Sequence, residues 1–259
     1  MGQLLLPRLG CVKYVNARPL VRGWPGEVHF DHPSDLCRRL GAGELDASLV
    51  SSFEFLRNPI YRIVDQVAIV SEGPVYSVVV ASEHDSDLRE IEIDPASATA
   101  VSLLRVLLAE QGREFLPARM ADDKLSPLQP GRARFLIGDQ AIEFRQRFGA
   151  AYSYWDQGAN WQSLTKLPFV YALWLIRPEV AGADSLADSL RSLRDANLAE
   201  LDDLIGEETK FDHAFCRTYY REHLRFVLGQ KEKEGLGLFG RLCVKHGLLS
   251  NCPTDLALV

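Results

Sequence analysis

Short apolar runs alternate with amphipathic stretches through the first two thirds of this chain, and polar turns separate them. Residues 9–12, 46–50, 66–70, 75–81, 91–93, 134–137 and 167–176 have the length and apolar, β-branched content of strands. Between them, residues 33–40 read as a helix, with Ser34 as its cap and Gly41 and Gly43 as stop signals. Another short helix opens at Ser51-Ser52-Phe53-Glu54, one with a broad apolar face ends near Gly112, and one follows Gly138-Asp139 through Phe148. Strand–helix alternation of this kind specifies an α/β architecture, a sheet with helical crossovers. Residues 156–165 are polar and aromatic and read as a surface loop or a short helical turn. The last third is helical, with Leu186, Leu190, Leu193, Leu201 and Leu204 forming most of one stripe and further helices over 212–228 and 232–246.

The order of these segments predicts two lobes. The chain builds a first α/β lobe, leaves it near residue 82, builds a second, and returns near residue 172. The expected division is therefore 1–82 plus 172–259 and 83–171, with a ligand cleft between the lobes. At 259 residues there is enough chain for a full core. A net charge of −6 argues against nucleic acid as a partner. The longest strongly apolar run, 169–176, is strand-sized and cannot span a bilayer, and residues 1–9 lack a secretory pattern. A cytoplasmic protein is expected, with no membrane partner. Five widely spaced cysteines without a C-x-x-C pair fit reduced thiols. His213-x-x-Cys216 and Cys243-x-x-His246 have ordinary helical spacing rather than that of a metal site.

The residues able to carry chemistry gather at strand ends. Asn16-Ala17-Arg18-Pro19 puts an amide, a cation and a rigid turn at the mouth of the first strand, where packing alone has little use for them. Ser51 and Ser52 open a helix, and Ser97 and Thr99 stand at the start of another, where hydroxyls and free amides can grip an anion. Gly138 lets backbone approach a ligand, and Asp139 is an acid, a base or a helix cap. The turn from Ser71 to Ser77, with Gly73, is placed to line the cleft floor. Each feature alone is equally a turn or cap. Together, across two lobes, they describe a site for a small, polar, anionic ligand. There is no phosphate loop, no G-x-G-x-x-G fingerprint and no nucleophile elbow, and none of the six histidines falls in a cleft turn.

The segments KYVNARPL, LDASLVSSFEFLRNP, SEGPVYSVVV, DPASATAVSLL, IGDQAI and LPFVYALW occur in this order, and in that order the chain resembles the chorismate dehydratases of the futalosine route to menaquinone. The resemblance covers about residues 9–176 and continues more weakly into the helical tail. It implies a type II periplasmic-binding-protein-like fold and a carbon–oxygen lyase that converts chorismate, a dicarboxylate, to 3-[(1-carboxyvinyl)oxy]benzoate and water. No cofactor or metal is implied. By position Asn16 and Asp139 become the candidate catalytic residues, and Arg18, Ser51, Ser52, Gly73, Ser77, Ser97, Thr99 and Gly138 the candidate substrate-binding ones. The chain departs from the family pattern at Lys13, where Ser is usual, at Ala98 and Ala100, where Arg and Ser are usual, and at Lys166, where Gly is usual. Two other functions fit the same fold: a non-catalytic cytosolic binding protein for a small carboxylate, and the related naphthoate-forming enzyme of the same pathway.

Overall fold

The computed structural model describes residues 6–83, 88–93, 98–121 and 123–259. Two five-stranded sheets organise the chain. The first contains β1 (Leu9–Cys11), β2 (Val28–Phe30), β3 (Ala47–Ser51), β4 (Arg62–Ser71) and β10 (Phe169–Ile176), in the order β2-β1-β3-β10-β4. The second contains β5 (Val78–Ser82), β6 (Glu90–Ile93), β7 (Leu116–Arg119), β8 (Ala133–Ile137) and β9 (Ser153–Asp156), in the order β7-β6-β8-β5-β9. In each sheet four strands run in one direction and one strand inserts antiparallel to its two neighbours: β10 between β3 and β4, and β5 between β8 and β9. Each inserted strand is the first one formed after the chain crosses from the other sheet. Val78 to Ser82 therefore pair within the second sheet, and Phe169 and Val170 pair within the first.

The strands most shielded from water carry the apolar runs seen in the sequence. Every residue of β3, β5 and β8 is buried, as strands covered on both faces require. Helices α1 (Pro33–Gly41), α2 (Ser52–Arg57), α3 (Ala98–Glu110), α4 (Gly138–Phe148) and α5 (Gln157–Thr165) join or flank them. Pro33 occupies the first turn of α1 after His32, so Ser34 lies inside that helix and does not cap it. Residues 157–165 form a true helix. Its polar sequence conceals two inward residues, Gln157 and Trp161, both fully buried. The strands β2, β7 and β9 were not apparent in the sequence. They are three or four residues long, none has a buried residue, and β7 carries a proline suited to an edge.

The C-terminal part contains α6 (Ala183–Ala199), α7 (Leu201–Gly206), α8 (His213–Thr218) and α9 (Gln230–Lys245), of which α6 packs on β4 and α9 on β10 of the first sheet. A π-helical turn, Tyr219–His223, ends α8. The expected helix over 212–228 stops there, because residues 224–228 extend and Arg225 pairs with Val70 of β4. Inside the second sheet Arg134 and Glu92, both essentially inaccessible, form an ion pair at 2.5 Å. Arg134 also donates to the carbonyls of Lys124 and Ser126. These bonds meet part of the hydrogen-bonding demand of a buried charge pair, and Arg134 Nη2 finds no partner among the described residues.

Lys166 ends α5 in the left-handed conformation, with φ 61° and ψ 17°. A side chain there costs roughly 1 kcal/mol that glycine avoids. The lysine is exposed, and among the described residues its ammonium bonds the Ser163 carbonyl alone. Lys166→Gly is expected to raise stability by about 0.5–1 kcal/mol, read from urea unfolding midpoints, with activity unchanged.

Candidate functional site

The carboxyl ends of β1, β3 and β8 face a common space, and the inserted strands β5 and β10 bring their first residues to the same place. A cavity lies there, with about 630 Å³ of empty space when its open mouth is included. From the first sheet it is lined by Val12, Leu49, Val50, Ser51, Ile69, Tyr171 and Ala172, and from the turn after β1 by Tyr14 and Asn16. The second sheet and its helices contribute Val75, Ser77, Val78, Thr99, Ala100, Ile137 and Gly138. Among the described residues the wall holds no ionisable acid, no lysine, no arginine and no histidine. Its polar groups are neutral: the Asn16 amide and the hydroxyls of Tyr14, Ser51, Ser77, Thr99 and Tyr171. The first turns of α3 and α4 also open here, at Thr99–Ala100 and Gly138, and present the partial positive charge of helix N-termini.

Hydroxyl bonds join the two sides. Ser51 Oγ bonds Thr99 Oγ1 and also accepts from the Thr99 amide at 3.1 Å, while Thr99 Oγ1 accepts from the Phe53 amide at 3.0 Å. The helix starts of α2 and α3 are thereby stitched across the cleft. Ser52, expected beside Ser51 in the site, does not line the cavity, though its hydroxyl lies 3.5 Å from Thr99 Oγ1. Its hydroxyl is fully buried and donates to the Val170 carbonyl at 2.7 Å. Gly73 lies in the turn between the sheets with φ 105°, outside the cavity wall. Its carbonyl approaches Gly158 of α5 so closely that a Cβ there would sit 2.3 Å from it. Ser97 lies outside the described residues.

Arg18 does not reach the cavity. It pairs with Glu208, lies 3.6 Å from Glu207, and lines a separate groove with Lys13 and Arg22. Its partners are 189 and 190 positions away in sequence, so nothing local announced them. The turn that carries it, residues Val15–Leu20, is a 3-10 turn fastened by the C-terminal helices. Asn197 donates to the carbonyls of Pro19 and Arg22, and the Tyr220 hydroxyl donates to the Val15 carbonyl at 2.6 Å.

Asp139 is buried at the start of α4. One carboxylate oxygen accepts from the Val15 amide at 2.9 Å and the other from Lys210 Nζ at 3.1 Å. Lys210 also pairs with Glu143, one turn further along α4, at 2.7 Å. Burial pushes the Asp139 carboxyl above its ordinary pKa, and the Val15 amide and Lys210 pull only partly against it. Asp139 thus joins α4 to the turn that presents Asn16. Its neighbour Gly138 adopts φ 58°, and a Cβ on it would lie 2.9 Å from the Tyr14 ring.

Asn16 itself is distinctive: its Oδ1 is buried and finds no hydrogen-bond partner among the described residues. Two tyrosines from the π-helical turn frame it. Tyr219, fully buried, donates to Ser77 Oγ at 2.6 Å, and Tyr220 holds Val15. No sequence motif pointed to Tyr219, Tyr220 or Lys210; the weak resemblance over the helical tail was the one available hint. Among the described residues no group of three or more His, Cys, Asp or Glu could hold a metal ion, and no helix is long and apolar enough to cross a membrane.

Two sheets, each with one antiparallel insert, facing each other across a shared cleft define a two-lobed binding-protein fold. The chain belongs to the menaquinone biosynthesis family, whose model matches residues 7–245. It is 29% identical over 256 residues to the chorismate dehydratase of Thermus thermophilus, covering 89% of this chain and 93% of that one. It is 27% identical over 161 residues to the chorismate dehydratase of Campylobacter jejuni, covering 61% and 58%. A crystal structure of an Archaeoglobus fulgidus protein superposes with a TM-score of 0.74 at 18% identity, over 94% of this chain and 98% of that one. The periplasmic aliphatic sulphonate binding protein of Escherichia coli superposes with a TM-score of 0.59 at 16% identity, over 96% and 90%. These structural likenesses carry the fold, which is that of the periplasmic binding proteins.

Because the folded pKa of Asp139 lies above its unfolded value of about 3.9, its ionisation weakens the folded state. This contribution favours folding below the unfolded value and is lost as pH rises through the folded one. The Asp139→Asn protein should therefore gain stability relative to the parent as pH climbs from 3 to neutrality, in urea titrations at stepped pH. Gly138→Ala, strained in φ and pressed on Tyr14, is expected to lose about 1–3 kcal/mol in the same measurement.

Proposed function

We propose that this protein is a chorismate dehydratase, a carbon–oxygen lyase that forms 3-[(1-carboxyvinyl)oxy]benzoate and water in menaquinone biosynthesis. The observation that carries this reading is the uncharged cavity with the orphaned Asn16 Oδ1, set in a chain of this family. Chorismate is a dianion with one free hydroxyl. Helix starts and hydroxyls suit its carboxylates, and an unpaired amide oxygen suits its hydroxyl. The two sheets would head two lobes that meet at this cavity. The pairing of β5 in the second sheet and of β10 in the first supports a division close to the expected boundaries at 82 and 172.

The reaction breaks the C3–H bond of the ring. Its electron pair becomes the C3=C4 π bond as the C4–O bond breaks, and the departing hydroxide takes a proton to leave as water. The ring becomes aromatic, which drives the step. The C3 proton is acidified by conjugation to the ring carboxylate, so the protein's task is mainly to orient the ring and stabilise charge on that carboxylate. Ser51, Ser77, Thr99 and the first turn of α4 at Gly138 are the groups assigned to that task. Ser97 is assigned with them from the resemblance.

The base is the substrate's own enolpyruvyl carboxylate. Support comes from the wall itself, which offers no protein base among the described residues, and from Asp139, whose two oxygens are both engaged elsewhere. Asp139 is accordingly assigned to holding the Asn16 turn, and Arg18 to bracing it from outside through Glu208. The Glu208 pairing supports a bracing role for Arg18 rather than the substrate-binding role expected from the resemblance. A cytoplasmic location goes with this reading, and the widely spaced, unpaired cysteines support it.

Purified protein incubated with chorismate is expected to consume its diene absorbance and form the aromatic product; binding without spectral loss would instead describe a carboxylate-binding protein. Asn16→Ala should lose at least about 100-fold in kcat. Asp139→Asn, which keeps an oxygen for the Val15 amide, should lose no more than about tenfold; complete loss with binding intact would reinstate Asp139 as the base.

A further inference from the structure

Between the two sheets the chain crosses twice. It leaves the first sheet after Ser71 and enters the second at Val78; it leaves the second after Asp156 and regains the first at Phe169. The outward crossing contains a backbone outlier. Tyr76 has φ 67°, and the Ser77 amide donates to the Val75 carbonyl at 2.8 Å, which closes a three-residue turn about it. A turn of that kind with a positive φ at its centre is rare and strained, and a residue other than glycine keeps it only where its surroundings hold it there.

Here two charged side chains hold it. Asp156 Oδ2 accepts from the Tyr76 amide at 2.8 Å, and its Oδ1 accepts from the Val75 amide at 3.0 Å. Arg145 of α4 donates to the Tyr76 carbonyl at 3.0 Å, and its guanidinium carbon lies 3.8 Å from the centre of the Tyr76 ring. The same Asp156 carboxylate caps α5 through the Ala159 amide at 3.0 Å, so one group grips both crossings. Beside it, a Cβ on Gly158 would sit 2.3 Å from the Gly73 carbonyl and 2.7 Å from Ser71 Oγ, so the two crossings are packed with no room for a side chain there. The turn leads directly into the site. Ser77 and Val78 belong to the cavity wall, and the Ser77 carbonyl accepts from the Gly138 amide at 2.7 Å, at the start of α4.

We propose that Asp156 is a positioning residue: by holding the strained turn at Tyr76 it fixes Ser77, and through the Ser77 carbonyl it fixes the start of α4 at the cavity. The inference rests on the dehydratase reading above, in which that helix start stabilises charge on the ring carboxylate. Such charge builds up towards the transition state, and a displacement of about 1 Å is enough to forfeit much of the stabilisation. The effect therefore falls on kcat more than on KM.

Wild type, Asp156→Asn, Tyr76→Gly and the double variant are assayed with chorismate by loss of diene absorbance and by product formation, with thermal unfolding as the control for folding. Asp156→Asn leaves an amide oxygen for the Val75 and Ala159 amides, and Asn caps a helix as well as Asp does; what it removes is the acceptor for the Tyr76 amide. It is expected to unfold cooperatively, to lose about 10–100-fold in kcat and to change KM by less than about threefold. Tyr76→Gly supplies a residue that takes positive φ without strain. Added to Asp156→Asn, it should raise kcat by about three- to tenfold over Asp156→Asn alone, because an unstrained turn keeps its shape without the carboxylate. A carboxylate that merely stabilises the fold gives no such recovery, and the two losses multiply. Wild-type kcat in Asp156→Asn, or a double variant no faster than Asp156→Asn, overturns the proposal. Should Asp156→Asn fail to fold, Arg145→Met, which acts on the Tyr76 carbonyl and leaves the α5 cap alone, is put through the same comparison and decides by the same criteria. If wild type leaves chorismate untouched, the dehydratase reading fails and takes this assignment with it. An active wild type beside an equally active Asp156→Asn ends this assignment alone.

Discussion

The carboxylate of Asp139 ties three distant parts of this chain to one point. It stands on the first turn of a helix that belongs to the second sheet, takes the Val15 amide from the turn after the first strand, and takes Lys210 from between two C-terminal helices. Removing water from a carboxylate is costly, and these two donors only partly offset the cost, which is why its pKa stays raised. A group held at such expense is there for geometry. The geometry it sets is the approach of Gly138 to the Tyr14 ring and of the Asn16 turn to the cavity.

Around that point the structure separates charge from chemistry. The cation that an anion-binding site was expected to use, Arg18, is occupied outside the cleft by Glu208, and nearby Arg22 and Lys210 are occupied too, by Glu207 and by Asp139 and Glu143. They fasten the C-terminal helices to the turn that carries Asn16. The cavity wall is left with hydroxyls, an amide and helix starts. Oriented neutral dipoles of this kind can hold a carboxylate without fixing a counter-charge beside the carbon acid, and so leave the substrate's own carboxylate basic enough to take a proton.

Much of this was legible in the sequence, for identifiable reasons. Strand ends bearing Asn16, Ser51, Ser77, Thr99 and Gly138 do meet, because α/β folds bring the carboxyl ends of their strands together and those residues have no packing reason to be there. The expectations that shifted depend on long-range partners. Ser52 has the same local surroundings as Ser51, yet the alternation of side chains at the end of β3 sends it to the Val170 carbonyl. Arg18 looks like a ligand cation until Glu208 is placed beside it. Tyr219 and Lys210 sit in ordinary helical sequence, and their relation to the cleft exists only in three dimensions. The α5 helix was obscured by its composition, since a short helix whose buried residues are a glutamine, a glycine and one tryptophan leaves almost no periodic signal. Lys166 is the converse: its left-handed backbone explains why glycine is usual at this position in the family, and shows that this chain tolerates the strain.

The neutrality of the cavity also bears on how a ligand arrives. A chain with a net charge of −6 repels a dianion at long range, and a wall without exposed cations offers no local field to reverse that repulsion. Attraction begins only when the helix starts and hydroxyls are within a few ångströms. Dissolved salt, which slows the meeting of oppositely charged partners, here shields like charges from one another and so hastens the encounter. The traffic of substrate into this site is thus governed by the protein's surface as a whole, and its retention by a handful of uncharged atoms inside.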